Sequence, residues 1–223
     1  MTPWAAIFDW DGVIIDSSRQ HEKSWELLAA EERRTLPPDH FQRSFGMKSE
    51  RIIPELLQWT NDPREVTRLS LRKEALYRVI LRAGQITPLP GVVKWLNRLR
   101  AASVPCSIAS STHRENITCA LGELGLEKFF TAIVSAEDVA HGKPDPEVFL
   151  VAAQKLDMPP KRCVVFEDAQ VGIEAARAAG MKVIGVATTH PAETLHDADR
   201  VVRQLDELSV TEFSQWFEPA STS

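Results

Sequence analysis

A chain of 223 residues is long enough to bury a sizeable core, as one domain or as one domain with an insertion. Its 26 basic and 31 acidic residues leave a net charge of −5 with the signs interspersed, and without a clustered basic run nucleic acid is not an expected partner. No apolar run approaches the roughly 18 residues of a membrane span and no basic-then-apolar leader opens the chain, so the expectation is a cytoplasmic protein with no membrane partner.

Residues 5–8 form a short continuous apolar run, the pattern of a buried strand in a parallel sheet, and Gly12 supplies the turn that ends it. Asp9 and Asp11 leave the carboxyl end of that strand one residue apart. Two carboxylates there repel, and each needs a partner or water; alone, they are as readily a solvated Asx turn. Residues 17–85 carry a helical pattern without convincing strands, with helices predicted over 21–34, 39–45, 50–60 and 64–83.

After Pro88-Leu89-Pro90-Gly91 the pattern changes. Strands are predicted over 105–109, 132–135, 163–166, 183–186 and 200–202, and helices over 92–102, 114–124, 146–156, 172–179 and 206–217. Strands alternating with helices point to an α/β fold, a doubly wound parallel sheet with a Rossmann-like core. That core is expected from residues 1–16 and 88–218, with an α-helical cap inserted over 17–87 and a frayed tail over 219–223. Cys106 and Cys163 fall on predicted strands and Cys119 on a predicted helix, without metal-ligand spacing, which reads as free thiols in a reducing compartment.

The first strand's ending recurs downstream. Val164-Val165-Phe166-Glu167-Asp168 is a second apolar strand closed by acids, Ile108-Ala109-Ser110-Ser111-Thr112 a strand closed by hydroxyls, and Gly142-Lys143-Pro144-Asp145-Pro146 a rigid loop carrying a lysine. Ligands of doubly wound sheets bind beyond the carboxyl ends of the strands, where these residues lie. The set suits phosphate chemistry: Mg²⁺ takes a few carboxylates and bridges to phosphate, while a lysine and a hydroxyl hold the remaining oxygens. The helical insertion follows directly after the first strand, so its two connections flank this region, as in a lid; a fixed subdomain that only adds stability is the plainer possibility.

With Asp9-x-Asp11-Gly12-Val13, Ser110, Lys143-Pro144 and Glu167-Asp168 in that order, the chain resembles the haloacid dehalogenase-like hydrolases, in particular the branch of beta-phosphoglucomutase and phosphoglycolate phosphatase. The resemblance covers nearly the whole chain; each motif is weak alone, and four in order at strand ends are specific. It implies that Asp9 is the nucleophile, forming an aspartyl-phosphate, and that Asp11 is the general acid and base. It implies Mg²⁺ held by Asp9, the backbone carbonyl of Asp11 and Asp168, with Glu167 at or just outside the ligand shell. Ser110 would hydrogen-bond the phosphoryl group and Lys143 would neutralise it. The implied substrate contacts are Ser111, Gly46 and the cap residues His21 and Lys73. An aspartate at position 11 also disfavours carbon–halogen cleavage, which needs no acid for its leaving group.

Cap residues bear on the substrate. Asp16-Ser17-x-x-x-His21-x-x-x-Trp25 is similar to a segment of the mutase and its sugar-phosphatase relatives, and His21 and Trp25 share one helical face. A surface histidine beside a core tryptophan stays equally open. Lys73 with Tyr77 matches a lysine and tyrosine of the mutase cap; amid Arg68, Arg72 and Arg78, a solvated lysine is the plainer reading. The mutase has a lysine just before the cap glycine and an arginine three residues after it, where this chain has Phe45 before Gly46, and Ser49; Lys48 and Arg51 are only nearby. Gripping a bisphosphate in both orientations without those cations forgoes contacts of ~1.5–3 kcal/mol each. The expectation is therefore a monomeric Mg²⁺-dependent phosphatase of a small phosphorylated metabolite, a sugar or polyol phosphate. A phosphosugar mutase is the alternative. A catalytically idle phosphometabolite-binding module is an alternative of another class, disfavoured because the site is complete.

Overall fold

The computed structural model describes residues 3–44, 49–84 and 86–217. The chain divides into two compact units, Met1–Asp16 with Thr87–Ser223, and Ser17–Ile86. The expectations placed on Phe45, Gly46 and Lys48, and on the tail over 219–223, lie outside the described residues.

Strand β1 (Ala5–Phe8) is wholly buried. The chain then turns through Gly12, whose φ of +80° lies in the region that favours glycine. Ile15 bridges to Pro88, and the Leu89 N–H donates to the Ile14 carbonyl at 2.9 Å. The stretches that leave and re-enter the first unit therefore run side by side.

The second unit contains α1 (Ser18–Glu31), α2 (His40–Ser44), α3 (Ser49–Arg51), a π turn over Ile52–Leu56, and α4 (Pro63–Arg82). Its described residues contain no strand. Helix α4 starts where Asp62 accepts the Arg64 N–H and proline takes the first position, whose N–H would be orphaned in any case. Trp25, Leu28, Ile53, Trp59, Leu69 and Leu76 form the apolar core of this unit. One expectation fails here: residues 50–60 are not one α-helix. Pro54 has no N–H to donate to the preceding turn and its ring crowds the carbonyl there. The backbone widens instead, the Leu57 N–H reaching the Ile52 carbonyl at 2.9 Å, and stops at Gln58 with φ 53°.

The first unit continues through α5 (Val92–Ala101), β2 (Cys106–Ala109), α6 (Arg114–Leu124), β3 (Ala132–Val134), α7 (Glu147–Lys155), β4 (Cys163–Glu167), α8 (Gln170–Ala178), β5 (Lys182–Val186), β6 (Arg200–Val202) and α9 (Val210–Trp216). All six strands join one parallel sheet in the order β3-β2-β1-β4-β5-β6. Alternate residues feed the two faces. Ala5, Ile7, Val165 and Val183 pack with Val148, Phe149, Ile173 and Ala176 of α7 and α8. On the other face Phe8 stacks on Phe166 at 4.5 Å, and Phe166 meets Trp95 of α5 and Phe213 of α9 edge-on. The sheet is thus covered on both sides. The helix expected over 206–217 is split: Leu205–Glu207 closes as a 3₁₀ turn, with Gln204 and Glu207 capping each other's backbone, Leu208 is extended, and α9 begins only at Val210. No helix among the described residues is long and apolar enough to cross a membrane.

Candidate active site

Register brings the sequence motifs together. Phe8 pairs with Ile108 on one side and Phe166 on the other, so Asp9 emerges level with Glu167 and one residue short of Ser110. The Asp9 N–H donates to the Phe166 carbonyl at 3.0 Å, which fixes the start of the turn against β4. The order of the strands reverses here, since the chain runs from β1 out to β3 and returns to β1's other side as β4. Such a switch point opens a crevice at the strand ends.

Lys143 reaches this point from the loop before α7. Its Nζ donates to Asp9 Oδ1 and to Glu167 Oε1, both at 2.6 Å, and lies 5.1 Å from the centre of the Phe149 ring. The Lys143–Pro144 peptide is cis. Glu147 fastens the loop by accepting the N–H groups of Ala140 and His141, and Asp145 accepts the N–H of Glu147. His141, Asp145 and Glu147 have metal-ligand proximity too, but these carboxylates are spent on bracing the loop that carries the lysine.

Three buried acids face this one lysine. Burial, with Glu167 and Asp168 adding repulsion against the pull of Lys143, holds Asp9 well above the usual carboxylate range. Burial, with the Glu167 charge, pushes Asp168 up to about 7, although Thr189 and Lys143 oppose it. Lys143 itself is held above its ordinary value: burial would lower it, and the carboxylates of Asp9 and Glu167 outweigh that. One oxygen from each of Asp9, Glu167 and Asp168 lies within 4.8 Å of the others. An all-oxygen, anionic, crowded cluster fits a hard divalent cation such as Mg²⁺, which would supply the positive charge that one lysine does not. Glu167 is the most engaged of the three, one oxygen on Lys143 and the other accepting the Ala169 N–H at 3.0 Å.

The side chain of Asp11 turns elsewhere. Its Oδ2 accepts the Thr112 hydroxyl at 2.7 Å, and the Thr112 N–H donates to Ser110 Oγ at 3.1 Å. Ser110 is buried at the end of β2 and Ser111 beside it is exposed. Thr188 and Thr189 carry no expectation from the sequence, and Thr112 only that of one hydroxyl among those closing β2. Thr189 donates to Asp168 and Thr188 to the carbonyl of Gly12, so the hydroxyls after β5 pin both acid-bearing turns. The available signal was the one used for Ser110: hydroxyls just past a strand end.

In the second unit, Lys73 is only 4% exposed, which overturns the reading of a solvated lysine. It donates to His21 Nδ1 at 2.7 Å and to Glu74 Oε1 at 3.1 Å, and sits 5.6 Å from the ring centres of both Trp25 and Tyr77. Its helix neighbours Arg68 and Arg72 are the solvated ones, paired with Glu32, just past the end of α1, and with Glu31, its last residue. His21 stacks on Tyr77 at 4.1 Å, and burial with the Lys73 charge lowers its pKa to about 3, so the ring is neutral near pH 7. An ammonium can only donate, so Nδ1 is the acceptor and Nε2 carries the proton. Ser49 is buried and donates to Glu74 at 3.3 Å.

Fold and site together define an α/β enzyme with a carboxylate-rich centre at the strand ends. The chain belongs to the haloacid dehalogenase-like hydrolases, whose family model matches residues 5–180. It is 42% identical over 212 residues to the chloroplastic 5-amino-6-(5-phospho-D-ribitylamino)uracil phosphatase of Arabidopsis thaliana; the match takes in 94% of this chain and spans 57% of that protein's length. It is 36% identical over 184 residues to the fructose-1-phosphate phosphatase YqaB of Escherichia coli, covering 81% of this chain and 94% of the relative. Among solved structures, beta-phosphoglucomutase from Clostridium difficile superposes with a TM-score of 0.79 at 26% identity, covering 96% of this chain and 97% of the other.

Proposed function

We propose that this chain is a Mg²⁺-dependent phosphatase hydrolysing a small phosphomonoester, a sugar or polyol phosphate, through an aspartyl-phosphate. The observation that carries the reading is the bond of Lys143 to both Asp9 and Glu167, with Asp168 in the same cluster: a nucleophile, its counter-charge and a cation-binding acid pair in one crevice. An Asp9 oxygen attacks phosphorus as the bond to the ester oxygen breaks, and Asp11 gives that oxygen its proton. Water then attacks the aspartyl-phosphate, its proton passing to Asp11, and inorganic phosphate leaves with Asp9 restored. Lys143 and Ser110 hold phosphoryl oxygens throughout. Bound by Asp9, Asp168 and the Asp11 carbonyl, with Glu167 acting through water, Mg²⁺ would supply positive charge to the transferring group.

In this reading the helical unit is a lid that selects the substrate, and the proposed substrate contacts among the described residues are Ser111 of the first unit and His21 and Lys73 of the second. The side-by-side stretches at Ile15 and Pro88, next to the acid-bearing turn, suit a hinge. The Nε2–H of neutral His21 is a donor for a substrate oxygen, and Lys73 holds that ring in place. Ser49, where the mutase carries an arginine, offers a hydroxyl already given to Glu74, which favours hydrolysis over mutase chemistry. Cys106 and Cys163, both buried with thiols pushed up to about 12 by burial, suit a reducing compartment, and a cytoplasmic monomer is the proposed state.

The test is phosphate release with Mg²⁺ across phosphoglycolate, hexose, pentose and polyol phosphates, plus beta-glucose 1-phosphate with a bisphosphate primer. Release from one class names the substrate. Glucose 6-phosphate formed without net phosphate release would replace the phosphatase reading with the mutase.

A further inference from the structure

We infer that Thr112 is a positioning residue for proton transfer, tying the Asp11 carboxyl, through its Oδ2, to the loop that follows β2. The inference rests on the phosphatase reading and concerns a residue with no part in it so far. Thr112 lies beyond the end of β2, and its backbone is fixed at both ends. Its N–H donates to Ser110 Oγ at 3.1 Å, and its carbonyl accepts the Ala136 N–H at 3.1 Å. The side chain then spans from this anchored loop to the β1 turn, Oγ1 donating to Asp11 Oδ2 at 2.7 Å. This contact restrains the Asp11 side chain, so that its position depends on the loop after β2 as well as on the β1 turn. The same loop thereby ties the acid–base residue to the serine that holds the phosphoryl group.

Such a role has a kinetic signature that general loosening of the site lacks. In the first step, attack by Asp9, an alkyl leaving oxygen needs its proton from Asp11, whereas p-nitrophenolate leaves without one. The ratio of kcat/KM for an alkyl phosphate (the best of the panel above) to that for p-nitrophenyl phosphate reports proton donation, because kcat/KM covers steps only up to leaving-group departure. Thr112→Val keeps the branched shape and removes the hydroxyl. The expected result is a roughly tenfold to hundredfold loss on the alkyl ester, less than about threefold on the aryl ester, and recovery of the wild-type ratio in Thr112→Ser. Should the valine variant not fold, Thr112→Ala is read the same way. Equal losses on both esters, no loss on either, or a serine variant that leaves the ratio depressed would overturn the inference. A wild-type protein that hydrolyses neither ester would instead remove the phosphatase reading beneath it.

Discussion

Gly172, in the first turn of α8, lies so close to Glu167 at the end of β4 that a Cβ on the glycine would overlap the glutamate carboxylate. The glutamate has no room to retreat: it is 1% exposed, with one oxygen on Lys143 and the other on the Ala169 N–H. The missing Cβ is therefore what lets α8 start directly over the acid that holds Lys143. In an ordinary helix, alanine stabilises by ~1 kcal/mol relative to glycine. At this position Gly172→Ala is expected to reverse the sign, destabilising by about 1–3 kcal/mol and lowering activity as Glu167 moves off Lys143. Urea unfolding with a parallel phosphate-release assay checks both, and an alanine variant as stable and active as wild type would show that Glu167 has room to move.

The acid cluster also predicts a metal response that can be read without turnover. Mg²⁺ stabilises whatever state binds it, so it is expected to raise the melting temperature of the wild-type protein in a concentration-dependent way. Asp168→Asn removes one anionic ligand of the cluster and should flatten that response while raising the Mg²⁺ needed for activity. Chelation with EDTA should abolish phosphate release, and Mg²⁺ restore it. A variant whose melting temperature rises with Mg²⁺ as the wild type's does would take Asp168 out of the metal site.

Much of this was legible in the sequence, for a physical reason. Parallel strands buried on both faces must be short apolar runs, and Ala5–Phe8 and Arg200–Val202 fall where they were expected, the other four strands within a residue of it. The acids, hydroxyls and lysine at their ends stood out because such groups are costly to bury without a task. What stayed hidden depended on three-dimensional neighbours. Lys73 has the sequence surroundings of a solvated residue, and only the fold places it between His21 and Glu74. Thr189 is distant in sequence from Asp168 and meets it through the parallel pairing of β4 and β5. The π turn at Ile52–Leu56 required weighing Pro54 against an otherwise helical pattern.

His21 makes a prediction about pH and stability. Its pKa is about 3 in the fold against an ordinary 6.5 in the unfolded chain, so between those values the unfolded state binds more protons and stability rises with pH. The stabilisation is full above about pH 6.5 and is lost as pH falls towards 3. Between pH 7.5 and 5 the wild type is expected to lose up to about 2 kcal/mol more than His21→Gln, which cannot titrate. Denaturant unfolding at the two pH values measures it. Equal losses in the two proteins would mean that the His21 ring protonates without cost in the fold.

The central claim is that Asp9 forms a covalent bond to phosphorus, and trapping that bond tests it most directly. Rapid acid quenching of the Mg²⁺-loaded protein during turnover of its best substrate, followed by peptide mapping, is predicted to find a phosphoryl group on the peptide bearing Asp9. Asp9→Asn, verified as folded by its thermal transition, should show neither the adduct nor turnover. An Asp9→Asn protein, free of wild-type contamination, that releases phosphate at the wild-type rate would contradict the account.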